Sequence, residues 1–492
     1  MKKLALLLAN KRFAFLRRLQ HKYPEAEVFV VGGIVRDTIL KRESKDFDFV
    51  VRNVPIKKLQ AFLVKEGRVD LVGKNFGILK FMPKGFRGLE AIDIALPRTE
   101  HALLTGGYRD FDVQSDPELP IAKDLSRRDF TINALAYDIF HKMLIDEFNG
   151  ANDLKKKIIR TVGKPAERFK EDYSRILRAL RFACQLGFAI EKQTFSAMKK
   201  LAPRINDKKN GDFIVPRETV SRELVKAFIA DPVRAFDLFD RSGLTRQLMP
   251  ELLKMKTCPQ PRNFHSEGDV WKHTKLCLQN LTTKKFRKKF GTIPLSGELV
   301  LGLLFHDLGK PYTIQRSDRL RFNNHDSIGA DKARAIMERL KISSAGVDIE
   351  KTVWLISRHM LGVHTKKSPM KKTTLEKYFF NEQHPGRDLL RLMYADVMAS
   401  IPSAGQPDFS DYINLENQYL ALKKTARTRL TLPPPLIDGF AIMKLMKLAP
   451  GPLVGDLKDK VREEQLKGNL RTKPEAVAFL NKHNSHAKNH RR

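Results

Sequence analysis

The chain has 492 residues, 42% of them hydrophobic and 30% charged, with 91 Lys+Arg against 56 Asp+Glu and a formal charge of +35. This length exceeds one ordinary domain, and the apolar content excludes a wholly disordered chain. The cationic excess calls for a polyanionic partner, because each neutralised phosphate releases condensed counterions; a membrane span is excluded, since no stretch approaches the roughly 20 apolar residues one needs.

At the N-terminus, Leu4 to Ala9 follow Met1-Lys2-Lys3, but the apolar run is short and Lys11-Arg12 come next without a small-residue cleavage site, so it is not a signal peptide. Leu4, Leu7, Leu8, Phe15 and Leu16 suit one face of an amphipathic helix. Val28 to Val31 and Phe47 to Val51 read as β-branched and aromatic strands, with further strands near 78 and 91. Between the first two lies Val31-Gly32-Gly33-Ile34-Val35-Arg36-Asp37, where the glycines let the backbone approach a phosphate chain and Arg36 supplies charge. Asp46 and Asp48 lie two apart on the second strand and so project together. With Asp93 on a later strand they form an oxygen set suited to Mg²⁺ and substrate phosphates. From Arg98 to Asp124 the apolar periodicity fails, which predicts a long surface loop.

After about residue 150 the pattern turns helical. A helix is expected from Tyr173 to Leu186, with Ile176, Leu180 and Ala183 as its core stripe, and with Asp172 and Arg175 on one face. Such a carboxylate–guanidinium pair can present fixed acceptors and donors to a base edge, or can be an ordinary surface ion pair. From residue 263 onward histidines and aspartates recur: His273, His306-Asp307 with Gly309-Lys310 behind it, His325, His359 and Asp396. Imidazole and carboxylate together suit a borderline divalent ion that assists phosphoester hydrolysis. Cys184, Cys258 and Cys277 show no metal-like spacing and fit a reducing cytoplasm. Pro433-Pro434-Pro435 is an extended linker, Pro452 opens a helix ending near Lys467-Gly468, and the basic stretch His483 to Arg492 is expected to be disordered.

The glycine motif with Asp46-Phe47-Asp48, the segment Arg127-Arg128-Asp129-Phe130-Thr131-Ile132-Asn133 and the segment Glu171-Asp172-Tyr173-Ser174-Arg175 resemble the class II tRNA nucleotidyltransferases and bacterial poly(A) polymerases. The resemblance implies an α+β chain. A mixed α/β nucleotidyltransferase head of the polymerase-β-like palm type (1–150) would precede an all-α neck and body (151–255), an HD domain (256–425) and a helical C-terminal segment with a basic tail (426–492). It implies Asp46, Asp48 and Asp93 as catalytic residues with Mg²⁺ on the first two. Gly32, Gly33, Arg36, Asp37, Arg127, Arg128, Asp129, Asn133 and Arg178 would bind nucleotide, and Asp172 and Arg175 would select the base.

The loop after Asp93 would help the pocket switch between C and A addition. The later histidines resemble the HD phosphohydrolase superfamily, which implies His273, His306, Asp307 and Asp396 around a transition metal (Ni²⁺, Mn²⁺, Co²⁺ or Zn²⁺), with His325 and His359 on a second metal or the substrate phosphate. The implied activity is addition of CCA to the tRNA acceptor arm from CTP and ATP, in the cytoplasm and without a membrane. Poly(A) addition, or CC-only or A-only addition, remains open as an alternative.

Overall fold

The computed structural model describes all residues except 1, 45–46, 73–77, 87–90, 103–105, 108–110, 426–431 and 490–492. It divides into two compact units, 1–250 and 251–492.

The first unit is built on a seven-stranded sheet. In chain order its strands are β1 (Glu27–Val31), β2 (Asp48–Arg52), β3 (Gly67–Val72), β4 (Ile78–Pro83) and β5 (Ile92–Ala95); a separate hairpin, β6 (Arg98–Ala102) with β7 (Phe111–Ser115), intervenes before β8 (Ala136–Asp138) and β9 (Met143–Ile145). The spatial order is β3-β4-β5-β2-β1-β8-β9. Every pairing is antiparallel except β2 with β5, where Asp48 stands opposite Asp93.

Both faces of the sheet are covered, which is why β1 is a near-continuous apolar run rather than an alternating one. On one face Phe29, Val31 and Val50 pack with Ile121, Leu125, Ala134 and Val162. On the other, Phe13 meets Phe47 and Phe49, and Phe15 meets Phe81, at ring centroids 4.6–5.9 Å apart. Each such buried ring contributes roughly 1.5–3 kcal/mol.

Two expectations change here. The N-terminal residues do not share a single helical face: helices Lys2–Leu8 and Ala14–Lys22 are separated by a turn that the Asn10 side chain caps. Leu4, Phe15 and Leu16 are buried, whereas Leu7 is exposed. The stretch 98–124 is not a structureless loop but the β6–β7 hairpin followed by helix Ile121–Ser126, with 103–105 and 108–110 outside the described residues. Beyond the sheet, helices such as Ser174–Leu186 and Arg217–Ala230 complete the unit, and Ile176, Leu180 and Ala183 are buried as expected.

Among its described residues, the second unit's regular structure is helical apart from one small hairpin, Ile314–Arg316 with Leu320–Phe322. Helices Val270–Asn280, Gly297–Phe305, His325–Arg339, Ile349–Arg358 and Gly386–Ala399 pack around one another. Three C-terminal helices, Gly439–Met446, Pro452–Lys467 and Lys473–Asn489, share a core of Ile442, Leu457, Val461 and Leu480. The stretch His483 to Arg492 was expected to be disordered; the last helix runs on to Asn489, and 490–492 lie outside the described residues. Among the described residues no helix is long and apolar enough to cross a membrane.

Candidate active sites

In the first unit the site forms where β1 ends. Gly32 takes φ +73°, a conformation open to glycine, and starts the short helix Gly33–Ile39. A Cβ added at Gly32 would lie 2.8 Å from Arg128 Nη1 and 3.9 Å from Asp48 Oδ2, so the turn, the arginine and the carboxylate converge on one spot. Asp48 and Asp93, opposite one another on adjacent parallel strands, present their side chains to the same face. Asp93 Oδ1 is buried and accepts no hydrogen bond; its nearest cation, Lys80 Nζ, stands 3.6 Å away. An orphaned carboxylate oxygen beside a second carboxylate fits a hard divalent cation. Asp46 lies outside the described residues.

A polar network frames these carboxylates. Arg36 donates to both oxygens of Asp37 at 2.9 Å and to Asn133 Oδ1 at 2.7 Å. Asn133 donates to Asp129 Oδ1 at 3.0 Å, and Arg178 pairs with Asp129 Oδ2 at 2.6 Å. Burial opposes ionisation of Asp129, but Arg178 and Asn133 outweigh it and hold the carboxyl at about 2. Arg127 and Arg128 are both anchored by Asp124, a fully buried carboxylate that the sequence reading did not single out. Its signal was present: Asp124 lies three and four residues before two arginines, the spacing of one helical turn.

Asp172 and Arg175 do not share a helix. Helix Pro165–Glu171 ends before Asp172, which adopts extended angles (φ −153°, ψ 105°), and the next helix begins at Ser174. Asp172 accepts from the Ser174 backbone N–H at 2.8 Å, while Arg175 donates to Glu171 Oε2 at 2.7 Å and to the Arg127 carbonyl at 3.2 Å. The Arg175 backbone N–H donates to the Asp172 carbonyl at 3.2 Å, and their charged side-chain atoms come within 4.0 Å, so the pairing survives the helix break. Burial raises the Asp172 carboxyl above its ordinary value, because Ser174 and Arg175 compensate only in part. Gly106, after the β6 strand, packs against Tyr173, its carbonyl accepting from the Tyr173 N–H at 3.0 Å. Gly106, between the hairpin strands, thus touches Tyr173, one of the two residues between Asp172 and Arg175.

The second unit contains a denser site. His273 Nε2 lies 2.9 Å from Asp396 Oδ1 and 3.7 Å from Asp307 Oδ2; His306 Nε2 lies 3.4 Å from Asp307 Oδ2 and 3.7 Å from Asp396 Oδ1. His325 and His359 face each other at 3.2 Å and approach the other Asp307 oxygen at 3.6 and 3.8 Å. Asp307 therefore stands between two imidazole sets. All four histidines are tied at Nδ1: His306, His325 and His359 to the carbonyls of Leu303, Phe322 and Ile356, and His273 to Glu267. Anchoring one ring nitrogen turns the Nε2 lone pair inward, as metal-binding histidines require. His306 Nε2 is buried and makes no hydrogen bond.

Burial alone would lower His273 and His306, yet Cys277 and Asp396 around the first and Asp307 beside the second push both well above the usual imidazole value. Against the same burial, Lys310 and His306 hold Asp307, and His273 and His306 hold Asp396, well below the carboxylate range. The cluster therefore favours positive charge. His359, by contrast, is driven by burial and its imidazole neighbours down to about 4 and is neutral at pH 7. Gly309 explains its place in the motif: a Cβ there would stand 1.9 Å from the His325 carbonyl oxygen, so only glycine lets the two segments approach. Lys310, buried, pairs with Asp307 Oδ2 and donates to Gln260 Oε1, each at 2.7 Å. Sequence reasoning missed Glu267, Lys310 and Cys277 as members of this cluster.

Comparisons with known proteins converge. Residues 28–160 match the poly A polymerase head domain, and 187–256 match the probable RNA and SrmB-binding site of polymerase A. An A-adding tRNA nucleotidyltransferase of Deinococcus radiodurans is 31% identical over 366 residues, covering 73% of this chain and 78% of that protein. A multifunctional CCA protein of Stenotrophomonas maltophilia is 33% identical over 358 residues, covering 71% and 79%. The fold is similar to that of the Bacillus stearothermophilus CCA-adding enzyme in complex with CTP, at 20% identity and TM-score 0.63 over 98% of this chain and 100% of that one. It is also similar to the Thermotoga maritima CCA-adding enzyme complexed with tRNA-CCA, at 20% identity and TM-score 0.61 over 97% of each chain. With relatives of this identity and extent, the chain belongs to the tRNA nucleotidyltransferase family of CCA-adding enzymes and is a nucleotidyltransferase.

Proposed function

We propose that this nucleotidyltransferase builds the 3′ CCA end of tRNA from CTP and ATP in the cytoplasm, and that its second unit hydrolyses phosphoesters that would block that end. The observation that supports the first part most is the apposition of Asp48 and Asp93 beside Gly32 and Arg128, with one Asp93 oxygen unsatisfied.

The reaction is an in-line displacement: the RNA 3′-oxygen forms a bond to the α-phosphorus, the bond to the pyrophosphate oxygen breaks, and the hydroxyl proton leaves. Asp46, Asp48 and Asp93 would hold Mg²⁺, which when bound offsets phosphate charge and makes the attacking hydroxyl more acidic. The chain does the rest. The Gly32 turn lets the backbone reach the triphosphate, and Arg128, fixed by Asp124, supplies a cation beside it. Arg36, Asn133, Asp129 and Arg178 form a hydrogen-bonded row beside the triphosphate site, preset before the substrate arrives. Asp172 and Arg175 read the base edge, each held by its own anchor beside their mutual pairing. The basic chain would bind the acceptor arm mainly through phosphates.

In the second unit, His273, His306, Asp307 and Asp396 would hold a borderline divalent ion, which supplies Lewis acidity toward a phosphoester. His325 and the neutral His359 would hold a second ion or the phosphate. A terminal or 2′,3′-cyclic phosphate on damaged tRNA is the substrate class that serves the first unit, since either one blocks the 3′-hydroxyl. A narrower reading, A-addition alone, is favoured by the Deinococcus radiodurans relative. Purified protein, given tRNA lacking its 3′ end with CTP and ATP separately and together, decides between them. Extension by CTP alone and completion with both nucleotides is the expected result; extension of only the CC-ended tRNA by ATP supports the narrower one, and no extension overturns both.

A further inference from the structure

The imidazole–carboxylate set of the second unit includes a sulfur. Cys277 lies four residues after His273 on helix Val270–Asn280, so the two share a face. Its Sγ is 3.3 Å from His273 Nε2, and the donor atoms of His273, Cys277, His306 and Asp396 all lie within 4.8 Å of one another. Cys277 is fully buried and forms no disulfide. Into the same group points His306 Nε2, fully buried and without a hydrogen bond, its Nδ1 fixed on the Leu303 carbonyl. A tetrahedron drawn with ~2.0–2.1 Å to nitrogen or oxygen and ~2.3 Å to sulfur separates neighbouring donors by about 3.3–3.6 Å. The three measured edges around His273 and His306 (3.3, 2.9 and 3.7 Å) bracket that range.

We propose that Cys277 is a thiolate ligand of the second unit's metal, so that His273, His306, Asp396 and Cys277 form one mixed nitrogen, oxygen and sulfur site selective for Zn²⁺, Co²⁺ or Ni²⁺ over Mn²⁺ and Mg²⁺. This rests on the reading of that unit as a metal centre. On binding, the Sγ–H bond breaks, its proton passes to solvent and a sulfur–metal bond forms. Sulfur is a soft donor, whereas imidazole and carboxylate alone leave Mn²⁺ competitive. Cys277 thereby takes the fourth position given above to Asp307, which faces both sets, one oxygen toward His306 and the other toward His325 and His359.

The test is absorption spectroscopy of the full chain titrated with Co²⁺. Wild type should show visible d–d bands together with a sulfur-to-cobalt charge-transfer band in the near ultraviolet. Cys277→Ser and Cys277→Ala should keep the d–d bands and lose the charge-transfer band. In competition, Cys277→Ala should lower the Zn²⁺-over-Mn²⁺ preference at least about tenfold, since even groups behind the ligands cost that much in affinity. Wild type with d–d bands but no charge-transfer band overturns the thiolate ligand while leaving the metal centre standing, and needs no variant to fold. A charge-transfer band that persists in Cys277→Ser assigns it to Cys184 or Cys258 and also overturns the proposal. No cobalt bands at all overturn the metal centre and the sulfur ligand together.

Discussion

On the proposed function, the two units would handle a divalent cation in opposite ways. In the first, the Asp93 side chain is two-fifths exposed on a strand paired on both sides, opposite Asp48 on one and Lys80 on the other, with one carboxylate oxygen unsatisfied. In the second, His273, His306 and Asp307 are almost entirely buried, and each imidazole is held at its outer nitrogen. The difference follows from the ions. Mg²⁺ keeps water and takes substrate phosphates as ligands, so its site is completed by the nucleotide. A transition ion is held by the protein itself, which must pay for burying the polar donors through hydrogen bonds behind them. On this account the first site would be assembled with its substrate, and the second built in advance.

The largest effect that can break this comparison is at Asp48. Asp48→Ala should reduce nucleotide addition by at least about 10³-fold, because the lost ligand leaves transition-state charge uncompensated. Phosphoester hydrolysis by the second unit should be unchanged; parallel loss of both activities would show that the sites are not independent. The double variant His306→Ala with Asp307→Ala should do the reverse, abolishing hydrolysis of 2′,3′-cyclic phosphates with Ni²⁺, Mn²⁺ or Co²⁺ while tRNA extension persists. Hydrolysis surviving in this variant would assign it to another centre.

Smaller effects sharpen the picture. Arg175→Ala should relax the choice of CTP and ATP over GTP and UTP by roughly 10–100-fold, as expected for a charged hydrogen-bonding group, with RNA affinity little changed. Unaltered nucleotide preference would remove Arg175 from base selection. Gly309→Ala should cost about 1–3 kcal/mol through overpacking against the His325 carbonyl, seen as a lower melting temperature of the second unit and weaker Co²⁺ binding without loss of nucleotide addition.

Asp129 gives the smallest effect and a pH signature. Its folded carboxyl at about 2 lies below the ordinary 3.8. The ionised form is therefore favoured in the fold: its contribution is complete above about pH 4 and is lost as the pH falls through about 2. The difference corresponds to roughly 2 kcal/mol. Asp129→Asn should flatten the acid dependence of hydrogen-exchange protection in head-domain peptides across that window, and an unchanged slope would show that Arg178 does not hold the charge.

Much of the first site was legible because its parts are local. A strand running into Gly32-Gly33 and a later strand read as Phe47 to Val51 have short-range signatures; the structure has both elements, the second over Asp48–Arg52. The β6–β7 hairpin was not legible, since the stretch Arg98 to Ser115 lacks the apolar alternation of a sheet packed on a core. Asp172 was placed on a helix because its spacing to Arg175 fits one, whereas its side chain accepts the Ser174 N–H and breaks the helix there, a local competition that spacing does not show. In the second unit the histidines announced themselves by type. Glu267 and Lys310 did not, because their role comes from partners distant in sequence or from burial. Cys277 was set aside because cysteines were compared with one another; the informative interval was the four residues to His273.

The claim that one site is built by the protein and the other by its substrate is tested most directly by metal content. Wild type, Asp48→Ala and the His306→Ala with Asp307→Ala variant would each be loaded with Ni²⁺ and Mg²⁺ without nucleotide, desalted, and analysed by plasma emission. The account predicts Ni²⁺ retained by wild type and by Asp48→Ala, Ni²⁺ lost from the double variant, and Mg²⁺ retained by none. Mg²⁺ retained without nucleotide, or Ni²⁺ lost on changing Asp48, would contradict it.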